Sequence, residues 1–192
     1  MIDPLSPLLP LQACAWLWGI WLFYWVVSSQ FVLKQKKREG LARIQHTIPT
    51  MIGIFSVFHL LSDKAWLGYF YSSVPVMWAG VAIVVFGHAF SVWARLHLGK
   101  YWSGTVALKQ GHKLITTGPY ALVRHPIYTG LLASVLGSAV AAGTKESFLG
   151  FALMLPAYLV KWRREERLME GEFGQEYRDY MAKTKAIVPF IF

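Results

Sequence analysis

The stretch VPVMWAGVAIVVFGHAFSVWARLHL, residues 74–98, decides the fold class of this chain. An α-helix rises about 1.5 Å per residue, so an apolar run of this length can cross the roughly 30 Å hydrocarbon core of a bilayer. Residues 11–33 form a second run of the same kind. The sequence therefore predicts helices that span a membrane.

Composition supports this class over the whole chain. The 192 residues are 55% hydrophobic and only 15% charged, which is more apolar than an ordinary soluble domain. The single cysteine, Cys14, excludes an internal disulfide, and the six histidines show no metal-ligand spacing, so we expect no metal site.

Three shorter apolar runs bring the number of predicted membrane helices to five. These are residues 48–61, 128–142 and 148–162, and each needs its helix to extend into flanking residues or the bilayer to thin locally. The run at 11–33 is too long for a cleaved signal peptide and has no Lys or Arg before it. We expect it to remain in the mature protein.

The basic residues predict which side of the membrane each loop occupies. Five crossings place loops 34–47 and 95–125 and the tail from residue 161 on one side. All Lys and Arg residues except Lys64 and Lys145 fall on that side. The positive-inside rule makes it cytoplasmic, so the C-terminus and the site should face the cytoplasm. The net charge of +9 then reflects contact with anionic lipid head groups, not nucleic-acid binding.

The chain is predicted to form one domain with two parts. Residues 1–94 supply N-terminal membrane helices, and residues 95–192 contain two cytoplasmic pieces, 99–127 and 161–192, that are long enough to build a site. No dinucleotide, phosphate-loop or nucleophile-elbow motif occurs in the sequence. Any nucleotide cofactor must therefore be held by these two pieces.

The first piece ends in Arg-His-Pro and is expected to have irregular backbone with turns. Pro126 suits the first turn of a helix, so Arg124 and His125 should lie at a helix N-terminus, where the dipole favours an anionic group. His125 and Tyr128 are three residues apart and can face one cavity. The alternative is a helix cap that binds lipid phosphate.

The second piece continues an apolar helix into a charged one. Lys161 and Glu165 lie one turn apart on the predicted helix, with Glu166 beside them. Two acidic residues close to the membrane are costly unless they are paired, which suggests that Glu165 and Glu166 have interaction partners. The simpler interpretation is that this side of the helix is exposed to solvent and carries salt bridges.

A polar stripe also runs along the helix at 74–98. His88, Ser91 and Arg95 recur at helical spacing. Such residues are candidates for a functional site. Alternatively, His88 is neutral and hydrogen-bonded between helices, and Arg95 extends to the interface.

Three features together resemble a known family: GHKLITTGPYALVRHPIYTG at 111–130, REERLMEGEFGQEYRDY at 164–180, and the late Pro189. They resemble the isoprenylcysteine carboxyl methyltransferases, within a wider group that includes phospholipid N-methyltransferases. The resemblance covers roughly residues 95–192. It implies an all-α membrane protein with about five membrane helices and a cytoplasmic cofactor site between loop 99–127 and the C-terminal helix.

The resemblance implies S-adenosylmethionine as the methyl donor and a lipophilic or prenylated acceptor taken from the membrane. By position, the cofactor-binding residues would be His112, Lys113, Leu114, Ile115, Tyr120, His125, Pro126, Ile127, Tyr128 and Glu165. The substrate-binding or catalytic candidates are Arg124, Lys161, Arg164 and Glu166. From the residue chemistry we assign His125 to the cofactor's carboxylate, Glu165 to its ammonium, and Tyr120 or Tyr128 to its adenine or sulfonium.

The acceptor stays open at this point. The family's carboxyl methyltransferases place an arginine four residues before the equivalent of Glu165, where this chain has Lys161, although Arg163 or Arg164 could substitute. The acceptor is then an isoprenylcysteine-like carboxylate, a phospholipid amine or a small thiol. An amine or thiol would need a base, for which His125 or Glu166 could serve.

Two alternatives belong to other classes of protein. A sterol-type reductase would share this architecture but bind NADPH, which requires a basic cluster for the 2′-phosphate. A non-catalytic membrane partner or small transporter would bind no nucleotide.

Overall fold

The structure is a computed structural model in which most of the described residues are helical. It describes residues 8–32, 35–38, 67–71, 73–102, 107–109, 111 and 113–189. The helices are α1 (Leu8–Ser28), α2 (Val74–Leu98), α3 (Pro119–Leu122), α4 (Pro126–Ala142), α5 (Lys145–Phe173) and α6 (Gln175–Lys183), and the strands are β1 (Gln35–Arg38) and β2 (Ala107–Lys109).

The predicted helical class is confirmed, with differences in boundaries. Helices α1, α2, α4 and α5 coincide with four of the predicted apolar runs, and the fifth run, 48–61, lies outside the described residues. Helices α1 and α2 are long and apolar enough to cross a membrane. Helix α5 continues past residue 162 through the whole charged segment, because Lys, Arg and Glu are good helix formers.

The structure adds one element that an all-α class omits. Strands β1 and β2 pair in antiparallel fashion, with Gln35 opposite Lys109 and Arg38 opposite Ala107. Pairing satisfies backbone N–H and C=O groups that irregular loops would leave without partners. The expected irregular backbone elsewhere in 99–127 is present, as a 3₁₀ turn at Gly99–Tyr101 and the single-turn helix α3.

Helices α2 and α4 pack backbone against backbone through glycines. A Cβ atom built on Gly80 would lie 2.6 Å from the carbonyl oxygen of Gly137, and one built on Gly130 would lie 2.7 Å from the backbone nitrogen of Ser91. Lipid tails are as apolar as leucine, so close contact of small residues, not apolar burial, drives helix association in a bilayer. These glycines therefore make α2 and α4 the antiparallel centre of the fold.

Helix α1 is attached to this pair by tryptophan hydrogen bonds. The indole N–H of Trp18 donates to Ser138 Oγ at 2.9 Å, and that of Trp21 donates to Ser91 Oγ at 2.8 Å. The ring of His88 packs against both indoles, at centroid distances of 4.6 and 5.5 Å. The polar stripe on α2 is thus part of the interface with α1.

Arg95 joins the C-terminal ends of α1 and α2. Its guanidinium donates to the carbonyl oxygens of Ser28 at 2.6 Å and Gly99 at 2.7 Å, and lies 4.7 Å from the ring centre of Trp102. A cation is favourable at helix C-termini because the carbonyls there carry partial negative charge. Arg95 is only 3% exposed, so its guanidinium is enclosed by protein groups at these two helix ends.

The segment after α6 fixes the beginning of α4. The backbone N–H groups of Arg124 and His125 donate to the carbonyls of Lys185 and Ala186, at 2.8 and 3.0 Å. His125 is the N-cap residue of α4, and Pro126 occupies the first turn, as the sequence predicts. Two distant parts of the chain therefore meet where the candidate site residues lie.

The packing of α2 on α4 yields a stability prediction. In Gly87→Ala the new Cβ would lie 2.7 Å from the backbone nitrogen of Ser134, so the helices must separate. We expect a loss of about 1–3 kcal/mol in unfolding free energy, measured as a lower Tm in detergent.

The matched control is Gly19→Ala on α1, where a Cβ meets nothing within 4 Å. Alanine favours a helix over glycine by about 1 kcal/mol, so this variant should be as stable as the parent or more stable. Equal losses in both variants would contradict the proposed backbone contact.

Candidate functional site

One cavity of about 410 Å³ lies where α1, α4, α5 and α6 meet the 99–127 segment. We call it the aromatic cavity. It is lined by Trp21, Trp25, Leu98, Tyr101, Trp102, Leu114, Ile115, Tyr120, Arg124, His125, Pro126, Ile127, Tyr128, Leu131, Tyr158, Lys161, Glu165, Leu168, Met169, Tyr177 and Tyr180. Its volume is within the range of roughly 300–1,000 Å³ that small-molecule sites occupy.

Glu165 is the acidic group of the aromatic cavity. Its carboxylate accepts a hydrogen bond from the Tyr128 hydroxyl at 2.5 Å, and its other oxygen lies 3.6 Å from His125 Nδ1. The Lys161 ammonium lies 5.0 Å from the centre of the Tyr128 ring, a cation–π distance. One acid, one amine and one imidazole therefore surround the same tyrosine.

Glu166 lies behind these groups and is not part of the cavity lining. It accepts hydrogen bonds from Arg124 Nε at 2.8 Å and from His125 Nε2 at 3.2 Å. Burial acts to raise the pKa of Glu166, but the hydrogen bonds and charges of His125 and Arg124 outweigh it and hold the pKa below its usual value. Glu166 is therefore ionised at neutral pH and orients the imidazole.

Arg124 connects three helices. Besides its bond to Glu166 on α5, it donates from Nη1 to the carbonyl oxygens of Met181 and Thr184, at the end of α6. It also lies one residue before the N-cap of α4. The guanidinium reaches the cavity wall, but these interactions point its donors into the protein.

Tyrosines from α3 and α6 form another part of the cavity lining. The Tyr180 hydroxyl donates to the carbonyl oxygen of Tyr120 at 2.5 Å, and Tyr177 packs beside Tyr180 with centroids 5.9 Å apart. Burial, followed by the negative charge of Glu165, raises the pKa of Tyr120 above its ordinary value. These phenols therefore stay neutral and offer ring faces to a ligand.

The structure brings most of the residues predicted from the sequence to this cavity. Among the cofactor candidates, those in the lining are Leu114, Ile115, Tyr120, His125, Pro126, Ile127, Tyr128 and Glu165. Lys113 is described but does not line the cavity, and His112 lies outside the described residues. Among the substrate candidates, Arg124 and Lys161 line it, whereas Arg164 and Glu166 do not.

Sequence reasoning missed two groups of lining residues. Trp21 and Trp25 are one turn apart on α1, which the sequence marked only as an apolar helix, and Tyr177 and Tyr180 share one face of α6. The i, i+4 and i, i+3 spacing of aromatic residues was a usable signal in both. It does not say which side of a helix faces the site.

Comparison with known proteins finds a family model that matches the central part of the chain. Residues 80–171 match the model of the isoprenylcysteine carboxyl methyltransferase (ICMT) family. This match begins inside α2 and ends near the end of α5, so it contains α3, α4 and the Glu165–Glu166 pair.

Curated relatives include such methyltransferases and also a metal-resistance protein. The chain is 32% identical over 119 residues to a probable protein-S-isoprenylcysteine O-methyltransferase from Oryza sativa subsp. indica, an alignment that covers 60% of this chain and 62% of the rice protein. It is 34% identical over 158 residues to the cobalt-zinc-cadmium resistance protein CzcN of Cupriavidus metallidurans, covering 80% of this chain and 64% of that protein. The chain thus spans about three fifths of the length of these relatives.

A solved structure shares the fold. The eukaryotic intramembrane Ras methyltransferase ICMT superposes on 79% of this chain and 52% of its own, with a TM-score of 0.53 and 24% sequence identity. Residues 80–171 are thus similar in sequence to the isoprenylcysteine carboxyl methyltransferase family, and the chain shares the fold of one solved protein of that name.

Proposed function

We propose that this chain transfers a methyl group from S-adenosylmethionine to a lipophilic acceptor at the membrane, with the carboxylate of an isoprenylcysteine-like compound as the preferred acceptor. The observation that carries the proposal is the aromatic cavity. Its lining combines an acid, an amine and an imidazole with tryptophan and leucine side chains. A charged cofactor and an apolar acceptor together require both kinds of group.

The residues of the cavity fit the cofactor's chemical groups. S-adenosylmethionine carries an ammonium, a carboxylate, a sulfonium and a flat base. Glu165 can bind the ammonium, His125 at the N-terminus of α4 can bind the carboxylate, and the rings of Tyr120 and Tyr177 can flank the base. Lys161, the amine of the lining, is not used by these pairings.

The chain's own residues contribute orientation and exclusion of water. The cofactor supplies a methyl group activated by its sulfonium, and the transfer is an in-line displacement that needs no covalent protein nucleophile. A carboxylate acceptor is ionised at neutral pH, so it needs no general base. Tyr128, held by Glu165, and the buried His125 therefore act by placing the reactants.

Lys161 is the group we assign to the acceptor's carboxylate. Its ammonium lies over the Tyr128 ring and lines the same cavity as Glu165, whereas Arg164 does not line it. Lysine binds a carboxylate as a point charge without the bidentate fork of arginine. For an amine or thiol acceptor, a base role falls to His125, since Glu166 is engaged behind it.

The described residues also support five crossings. Helices α1 and α2 run parallel, because Arg95 joins their C-terminal ends. Residue 67 lies at the opposite end, where Leu67 donates its N–H to Glu146 and Tyr69 pairs with Thr144. Residues 28 and 67 therefore lie at opposite ends of the helix pair, which is what the proposed five crossings require. The many basic residues on the Arg95 side make that side cytoplasmic.

The cavity's charges disfavour the reductase alternative. A 2′-phosphate needs several available basic groups, but Lys161 and Arg124 are the Lys and Arg side chains that line the cavity among the described residues. Arg124 is already bound to Glu166 and to two carbonyls.

The assignment of Glu165 leads to a binding prediction. Glu165→Gln should weaken S-adenosylhomocysteine by about 1.5–3 kcal/mol, roughly tenfold to a hundredfold in Kd, because a charged hydrogen bond to the ligand ammonium is lost. Calorimetric titration measures this. Glu176→Gln, an exposed acid on α6, is the matched control and should bind normally. Unchanged affinity in folded Glu165→Gln would remove Glu165 from the cofactor site.

The lowered pKa of Glu166 leads to a pH prediction. A carboxyl whose folded pKa is depressed stabilises the fold above its unfolded pKa and loses this contribution as pH falls through the folded value. Glu166→Gln should therefore have a lower Tm than the parent at pH 7, and the two Tm values should converge below about pH 4.

The control for this measurement is Glu170→Gln, which removes an acid from a half-exposed pair with Arg178. Surface pairs contribute about 0–1 kcal/mol, so its Tm should stay close to the parent's at every pH. A Tm difference for Glu166→Gln that does not change with pH would contradict the ionised role.

The proposed function is tested by titrating the detergent-purified protein with S-adenosylhomocysteine and, in parallel, with NADPH. We expect saturable binding of the first alone, followed by methyl transfer to N-acetyl-S-farnesylcysteine. Binding of NADPH alone would favour a reductase. Binding of neither, in protein shown to be folded, would favour a non-catalytic membrane protein.

A further inference from the structure

The turn that carries Tyr120 into the aromatic cavity is too short to hold its own position. Helix α3 is the single turn Pro119–Leu122. An isolated helix shorter than about 12 residues is marginal in water, because its first turn fixes many dihedral angles for few hydrogen bonds. Neighbouring elements must therefore determine where the Tyr120 side chain lies.

Helix α6 and the segment after it hold one side of this turn. The Tyr180 hydroxyl donates to the carbonyl oxygen of Tyr120 at 2.5 Å, and Val123 forms a β-bridge with Lys185. Both contacts act on Tyr120 or on the residue that follows the helix. The segment before Pro119 is thus held from elsewhere.

His97, in the last turn of α2, contacts that segment. Its Nε2 atom lies 2.8 Å from Thr117 Oγ1, a hydrogen-bond distance, and its ring lies beside that of Tyr120, with centroids 6.4 Å apart and an interplanar angle of 26°. His97 itself does not line the cavity. It can therefore influence a bound ligand only through the chain that it contacts.

Gly118 lets the chain approach the His97 ring closely. Its φ of +60° lies in the left-handed region that favours glycine, and a Cβ built on it would lie 2.7 Å from His97 Cε1. A larger residue would force the ring and the backbone apart. The imidazole is therefore packed against the backbone of the residue before Pro119, in addition to its hydrogen bond.

Thr117 lies between two stretches of chain that line the cavity. Leu114 and Ile115 precede it, and Tyr120 follows it. A contact at Thr117 therefore fixes both stretches relative to α2. His97 and Thr117 are 20 residues apart, so helical periodicity gives no indication of this contact.

We propose that His97 is a positioning residue for the nucleotide cofactor: through Thr117 and Gly118 it places Tyr120 against the cofactor's base. The inference rests on the proposed function and names a residue outside the cavity that sets cofactor affinity. A segment that is fixed before the ligand arrives has less conformational freedom to lose on binding. Loss of the contact should therefore weaken cofactor binding.

The first test is calorimetric titration of the full-length, detergent-purified protein with S-adenosylhomocysteine. His97→Ala should raise the Kd roughly threefold to tenfold, the range that corresponds to one net hydrogen bond. His97→Gln should restore most of the affinity, because its amide nitrogen can take the place of Nε2 and can bond the Thr117 hydroxyl. His97→Asn is the matched variant, whose shorter side chain reaches only to the place of Nδ1 and should not restore it.

The hydrogen bond is also tested from its other partner. Thr117→Val removes the hydroxyl with little change of shape, and we expect the same loss as in His97→Ala. Because both substitutions remove one interaction, the double variant should bind no more weakly than either single variant. Thr116→Val is the control, since Thr116 is also exposed and lies outside the cavity lining, and it should bind like the parent.

Turnover separates positioning from a general loss of structure. In the methyl-transfer assay, His97→Ala should raise the KM for S-adenosylmethionine and leave the kcat and the KM for N-acetyl-S-farnesylcysteine unchanged. The reason is that Glu165 and His125 are held by contacts within α4 and α5, not by α2. If His97→Ala does not fold, Thr117→Val reports on the same contact.

The outcomes distinguish this inference from the proposed function. The parent's affinity in folded His97→Ala and Thr117→Val overturns the positioning role and leaves the methyltransferase proposal in place. Equal losses in His97→Gln and His97→Asn, or a lowered kcat, also overturn it, because neither depends on the bond to Thr117. A parent protein that does not bind S-adenosylhomocysteine defeats the proposed function itself.

Discussion

The carboxylate of Glu166 is the group on which the arrangement of the site depends. It lies on α5, binds Arg124 and His125 at the start of α4, and through Arg124 reaches the carbonyls at the end of α6. An ionised acid in a partly buried place is stable only when it is paired and hydrogen-bonded. The same requirement that keeps Glu166 satisfied therefore sets the relative positions of three helices, and it leaves the adjacent Glu165 free to face the cavity.

Much of the fold and about half of the site can be predicted from the sequence. These predictions succeed because they depend on signals within single segments of the chain. Apolar length identified four of the described helices, and Pro126 fixed the N-terminus of α4, because proline restricts backbone geometry in a way that needs no tertiary information. Lys161 and Glu165 lie one turn apart on α5, where helical periodicity puts them. Most of the cofactor positions taken from the family resemblance also reach the cavity.

The remaining features depend on contacts between distant segments. Nothing local distinguishes Glu165 from Glu166, yet Glu165 lines the cavity and binds Tyr128, whereas Glu166 lies outside the lining and binds Arg124. Likewise, Trp21 and Trp16 are both apolar positions on α1, and only the packing of α2 decides which one is buried. The elements packed against a helix determine its rotation about its own axis. The composition of the helix alone therefore does not reveal which residues face the site.

The backbone hydrogen bonds from Arg124 and His125 to Lys185 and Ala186 have a consequence for biosynthesis. The histidine at the head of α4 gains these backbone partners only after residue 186 has been synthesised. The glycine contacts between α2 and α4 involve residues that are made much earlier. The candidate site is therefore the last part of the described fold to be completed, and loss of the final segment would remove the partners of Arg124 and His125 while leaving the contact between α2 and α4 in place.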